Sequence, residues 1–155
     1  MNTFDEDGRM PRNGNRTVIY QGTTPTCGPT SCGMVLDTLG NSVDVEDLVK
    51  QLPITDKGVS IDKLSGVFQN YGVDAEFKRG LTIDDIASAT QSGTPVIVAV
   101  RQGGGGHAIV VDGITTRQGV DVVAIRDPWG TQYFEKLTVF KKRFLRQGVI
   151  INSGG

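Results

Sequence analysis

The chain has 155 residues, 37% of them hydrophobic and 21% charged, with a formal net charge of -1. That composition describes one globular domain able to bury a core of its own, and its near-neutral balance excludes the electrostatic footprint of a nucleic-acid or acidic-membrane binder. Two cysteines and one histidine are too few for a disulfide framework or a zinc site, and neither a membrane-spanning apolar run nor a signal-like segment is visible, so no metal, no cofactor and no membrane insertion are expected.

Residues 1–16 are polar and aperiodic and read as a flexible N-terminal arm, with residues 17–155 as a single domain. Thr17 to Tyr20 reads as a short strand leading into Gln21. The segment Q-G-T-T-P-T-C-G-P-T-S-C-G-M-V-L-D-T-L-G then predicts a helix starting at Cys27, with Thr26 as N-cap, Pro29 in the first turn and Gly40 as the stop. Helical spacing recurs over Val43 to Leu52, with Asp44 as cap, and over Ile61 to Tyr71, with Ser60 as cap. A strand is expected over Val73 to Phe77, and a fourth helix after Thr82, closed by Gly93.

From Pro95 the character changes. Pro95 to Val100 is a continuous apolar run, the pattern of a strand covered on both faces. His107 to Thr115 and Val120 to Ile125 follow as strands joined by Arg117-Gln118-Gly119, and Asp127-Pro128-Trp129-Gly130 reads as a turn. Gln132 to Phe134 is extended, Thr138 caps about one helical turn, and Gly148 to Asn152 is a last strand. Helices first and antiparallel strands afterwards predict an α+β, two-layer fold, with N-terminal helices packed on a C-terminal antiparallel sheet and a site in the cleft between the layers.

Cys27 carries the chemistry. A thiol at a helix N-terminus is activated, because only the thiolate is nucleophilic and the positive end of the helix favours it. Gln21 and the Cys27 N–H would supply two donors for a tetrahedral oxyanion. The alternative is a buried structural cysteine beside a surface glutamine. His107 is the only histidine and hence the only imidazole base available to Cys27; otherwise it is a strand-edge residue satisfied by a carbonyl. Asp127 ends the neighbouring strand and can hold the imidazole tautomer, although Asp-Pro also simply starts turns. Trp129 can cover that hydrogen bond and is taken as a substrate-binding position, or it belongs to the core. Gly103 to Gly106 reads as a mobile rim that lets a substrate backbone approach, with Gly105 and Gly106 as substrate-binding positions, or as a plain hairpin loop. Cys32 reads as core.

Taken together, Q-x5-C, the helix C-G-P-T-S-C-G-M-V-L-D-T-L-G, a gap of 80 residues from Cys27 to His107, H-A-I-V-V-D-G-I and D-P-W-G resemble the papain-like cysteine peptidases, and within them the C39 bacteriocin-processing peptidases, over roughly Val18 to Asn152. The resemblance implies a papain-like fold with Cys27 as nucleophile, His107 as general base and acid, Asp127 as the orienting residue and Gln21 as oxyanion donor. It implies a peptide or protein substrate, with cleavage of leader peptides after Gly-Gly, and an exporter or cognate inhibitor as partner. Exporter domains of the family often have an acidic residue where this chain has Thr26, and neither a transmembrane nor an ATPase region follows here. A free-standing domain is therefore expected, cytoplasmic or delivered into a target cell as a bacterial toxin or effector. Two alternatives share the same residues: a deamidase using the same triad, and a catalytically silent leader-peptide-binding module. The terminal Ser153-Gly154-Gly155 is what self-processing after a double glycine would leave, and is equally an ordinary flexible end.

Overall fold

The computed structural model of the protein describes residues 9–10, 16–22 and 25–152. In chain order the elements are β1 (Arg9–Met10), β2 (Val18–Ile19), α1 (Cys27–Thr38), α2 (Val45–Val49), a 3-10 turn (Ile61–Lys63), α3 (Ser65–Gln69), β3 (Ala75–Arg79), α4 (Ile83–Thr90), β4 (Val96–Gln102), β5 (Gly105–Arg117), β6 (Val120–Asp127), β7 (Thr131–Lys136), α5 (Leu137–Arg143) and β8 (Phe144–Ile151). Most of the arm expected over residues 1–16, and the terminal Ser-Gly-Gly, lie outside the described residues. Where the arm is described, Arg9–Met10 pair with Val18–Ile19, and Arg16 bonds Asp112 at 3.0 Å and the Gly93 carbonyl at 2.6 Å. No helix among the described residues is long and apolar enough to cross a membrane.

Six strands form one antiparallel sheet in the order β3-β8-β4-β5-β6-β7. Its centre, β4 and β5, is apolar on both faces. Ile97, Ala108 and Val110 pack with α1, α3 and the 3-10 turn, whereas Val96, Val98, Val100, Ile109 and Val111 pack with Ile86 of α4 and Phe140 of α5. The continuous apolar run from Pro95 is thus read correctly: alternate side chains serve two cores. The expected layering of helices on an antiparallel sheet holds, with α4 and α5 added on the sheet's far face.

α1 lies in the middle of the first core and is buried nearly all round, from Gly28 to Leu36. Small residues let its neighbours close in: a Cβ at Gly28 would stand 3.0 Å from Val59 and 3.1 Å from Leu64. This contact brings the segment after Gly58 down beside Cys27. Burying a side chain such as Leu64 or Phe68 completely contributes about 1.5–3 kcal/mol each, so α1 is held by packing rather than by caps.

Several boundaries differ from expectation. The helix expected over Val43 to Leu52 shortens to Val45–Val49, because Val43 and Leu52 reach the core as flanking, partly buried residues. The helix expected over Ile61 to Tyr71 breaks into the 3-10 turn and α3; Ser65 and Gly66, weak helix formers, sit at the join. Thr26 and Ser60 occupy N-cap positions without a capping side-chain bond. Thr82 does cap α4, in a reciprocal box with Asp85 at 2.9 and 3.1 Å. β3 runs two residues later than expected, and β8 begins earlier, at Phe144. Of the four-glycine run, only Gly103 and Gly104 form the hairpin turn; Gly105 and Gly106 pair with Gln102 and Arg101 inside the sheet.

Candidate active site

The site is built where β6 ends early. The last β5–β6 pair is Val110 with Arg126; Asp127 then turns through Pro128 and Trp129 to Gly130, whose φ of 89° needs glycine, and the chain returns as β7. The edge of β5 at His107 and Ala108 is thereby left open, and the N-terminus of α1 fills it. Ser31 donates its hydroxyl to the Ala108 carbonyl at 3.3 Å, and the N–H of Ala108 bonds the Cys27 sulfur. A strand residue points its N–H and C=O to the same side, so one residue of β5 holds both the first turn of α1 and its cysteine.

His107 is 7% exposed and Asp127 3%. His107 Nε2 bonds Asp127 Oδ1 at 2.8 Å. With Nε2 committed there, the ring presents Nδ1 to the Cys27 thiol, to which it is hydrogen-bonded. Asp127 Oδ1 also accepts from the Trp129 N–H at 3.0 Å, and Oδ2 from the Tyr133 hydroxyl at 2.9 Å. The Trp129 ring stands 5.1 Å from the His107 ring, tilted by 43°, and is 52% exposed. It is a surface cover over the imidazole, not a core residue.

The electrostatics follow from these contacts. Burial pushes the Cys27 thiol up, but the His107 hydrogen bond, the Ala108 N–H, the His107 charge and the Gly28 N–H outweigh it and leave the thiol below its ordinary value. Burial pushes His107 down, and its bonds to Asp127 and Cys27 overcome this to raise it to about 9. Asp127, although buried, is held below the usual carboxylate range by His107, the Trp129 N–H and Tyr133. Cys32, wholly buried, is pushed far up by burial and has the character of an inert core thiol. A thiol held below its ordinary value beside an imidazole held above it has the electrostatics expected of a thiol–imidazole pair.

Gln21 reaches the same place by main-chain bonds. Its N–H donates to the Pro128 carbonyl at 2.6 Å, and Tyr20 bridges to Trp129, so the residues after β2 run alongside the turn that carries Asp127. A cleft of about 420 Å³ opens beside Cys27 between the two layers, lined by the 57–61 segment and Leu64 on one side and by Ala99, Gly106, His107, Ala108, Leu145 and Gln147 on the other. Gly106 lines it; Gly105 lies one residue further back in β5, and Trp129 lies against His107 outside that lining.

Sequence reasoning missed three supporting residues. Ser31 and Tyr133 carry no local signal, because their partners lie 77 residues away and across a turn. Arg126 did carry one, a charge inside an apolar strand. It is wholly buried, forks onto Asp112 at 2.8 and 2.9 Å, and donates to the carbonyls of Thr17 and Met34. It ties the strand before Gln21, the helix of Cys27 and the strand of His107 to the residue before Asp127.

The fold is similar to that of solved peptidase domains. One is a double glycine motif protease from an AMS/PCAT transporter, in complex with the leader peptide: 21% identity, TM-score 0.72, covering 92% of this chain and 96% of that one. A second is the peptidase domain of Streptococcus ComA, a bifunctional ABC transporter involved in quorum sensing: 18% identity, TM-score 0.69, covering 86% and 96%. A third, described as a C39-like peptidase from Bacillus anthracis, gives 18% identity and TM-score 0.72, covering 90% and 95%. No curated protein matches the sequence. Residues 15–149 match the model of the Peptidase_C39 like family, and the chain belongs to that family.

Proposed function

We propose that the protein is a cysteine peptidase in which Cys27 attacks a peptide carbonyl and His107, oriented by Asp127, moves the proton. The observation that carries this reading is that one imidazole is bonded from one nitrogen by Asp127 at 2.8 Å and from its other side by the Cys27 thiol. The substrate lies extended in the cleft beside Cys27. The Cys27 thiolate adds to the carbonyl carbon, and the oxyanion is received by the Cys27 N–H and the Gln21 side chain. His107 gives its proton to the leaving amine, which departs and leaves a thioester. His107 then takes a proton from water, the hydroxide adds to the thioester, and Cys27 leaves as thiolate.

Membership of the family and the leader peptide bound in one structural neighbour favour a peptide substrate, with a Gly-Gly leader as the first to try. A pool of Gly-Gly leader peptides and Gln-rich peptides, incubated with wild type and with Cys27→Ala and read by mass spectrometry, tests the reading. Cleavage that requires Cys27 supports it, and a cut after Gly-Gly gives the specificity. Intact peptides gaining the small mass of amide-to-acid conversion would make the protein a deamidase. No Cys27-dependent change would point instead to a silent binding module.

A further inference from the structure

Beyond Asp127 the hydrogen-bonded row continues. Tyr133 of β7 donates to Asp127 Oδ2 at 2.9 Å, and Arg143, at the end of α5, donates from Nη2 to the same hydroxyl oxygen at 2.9 Å. The direction is forced: a guanidinium has no acceptor and an ionised carboxylate no donor, so the hydroxyl receives from Arg143 and gives to Asp127. Arg143 is itself fixed on its other nitrogens, Nε to Glu135 at 2.9 Å and Nη1 to Gln102 at 3.2 Å. Gln102 ends β4, on the hairpin that leads to His107. Burial and the charge of Asp127 push Tyr133 up to about 12, so it stays a donor. The titratable and charged groups along the row are Cys27 from α1, His107 from β5, Asp127 from β6, Tyr133 and Glu135 from β7 and Arg143 from α5.

We propose that Tyr133 and Arg143 are positioning residues of the site, Tyr133 holding the Asp127 carboxylate against His107 and Arg143 holding and polarising Tyr133. This rests on reading Cys27 and His107 as nucleophile and base. Asp127 has two oxygens to place: Oδ1 serves His107 and the Trp129 N–H, and Oδ2 serves Tyr133. Without the hydroxyl, Oδ2 loses that donor and the carboxylate is less neutralised, while Oδ1 keeps His107 and the Trp129 N–H. A less neutralised Asp127 draws the imidazolium charge more strongly, so the proton leaves His107 at higher pH.

The test needs no substrate. The rate of Cys27 alkylation by iodoacetamide, followed from acid to alkaline pH, has a lower inflection where the thiolate forms and an upper one where His107 loses its proton. Tyr133→Phe and Arg143→Met should each raise the upper inflection by about half a pH unit. Arg143→Lys, which keeps the charge and a donor, should stay closer to wild type. For any peptide cleaved, Tyr133→Phe should lower kcat about tenfold with KM little changed. Upper inflections of Tyr133→Phe and Arg143→Met that equal or fall below that of wild type, in variants that unfold as cooperatively as wild type, would overturn the proposal. Raised inflections in a protein that cleaves no peptide would support the row while removing the peptidase reading, so the two fail separately.

Discussion

Ser31 and Cys27, one helical turn apart on α1, hold opposite ends of a single residue: the Ser31 hydroxyl bonds the Ala108 carbonyl at 3.3 Å, and the Ala108 N–H bonds the Cys27 sulfur. Cys27 is therefore set against the histidine strand by a serine that is wholly buried. Ser31→Ala leaves a buried carbonyl without this partner, which should cost about 1–3 kcal/mol of stability, read as a lower urea midpoint. Turnover should fall with it, in kcat more than in KM, because the cysteine is less tightly placed.

Cys27→Ala and His107→Ala should each abolish turnover while the circular dichroism spectrum stays that of the wild type. Cys27 is half-buried and its removal opens little space; His107 is replaced at the edge of the site rather than in either core. Gln21→Ala should lower kcat by about 10²–10³ if its side chain receives the oxyanion. A Gln21→Ala enzyme with wild-type kcat would leave the α1 N–H groups to do that work alone.

Arg126 bears on stability more than on chemistry. Arg126→Met strips the fork from partly buried Asp112, leaving only the 3.0 Å bond from Arg16, and removes donors from two carbonyls. Breaking a buried pair from one side costs about 3–5 kcal/mol. Chemical denaturation of the single variant should show that loss, and adding Asp112→Leu should recover part of it. Equal midpoints for the two variants would mean that the buried charge is not the source.

The pH dependence of stability separates the two members of the pair. His107, raised from 6.5 to about 9, contributes stability that is fully present below 6.5 and is lost as pH rises through about 9. Cys27, lowered from 9.0, contributes stability that is present above 9.0 and is lost as pH falls through its folded value. In wild type the two slopes oppose each other between the folded value of Cys27 and about 9, so the urea midpoint should fall less steeply with pH there than it would with the histidine alone. In Cys27→Ala only the histidine slope remains, still driven by Asp127, and the midpoint should fall as pH rises. Parallel curves for the two proteins would contradict the pairing.

Much of this fold could be read from local pattern. The apolar run from Pro95, the capping box at Thr82 and the glycine stops are properties of neighbouring residues, and the elements they predict are present. Where local pattern and tertiary packing disagreed, packing won: Leu52 keeps helical spacing with Val45, Leu48 and Val49, yet it reaches the core outside the helix. In the site, Cys27 stood out by its place at a helix start, His107 as the only histidine and Asp127 by ending the strand that follows. Their supports did not stand out, since Ser31 to Ala108 and Arg126 to Thr17 span 77 and 109 residues, and nothing near a residue in sequence names such a partner. Arg126 is the exception, because a charge inside V-V-A-I-R-D demands a buried counter-charge.

Because the chain holds one histidine, the ring resonances of isotope-labelled histidine in a nuclear magnetic resonance titration need no assignment and report His107 alone. The pairing of His107 with Cys27 and Asp127 predicts a wild-type midpoint near 9, and a lower one in Cys27→Ala, since the Cys27 bond and charge both raise it. A wild-type midpoint at the ordinary 6.5, or one that Cys27→Ala leaves unmoved, would contradict the thiolate–imidazolium pair on which the proposed peptidase mechanism stands.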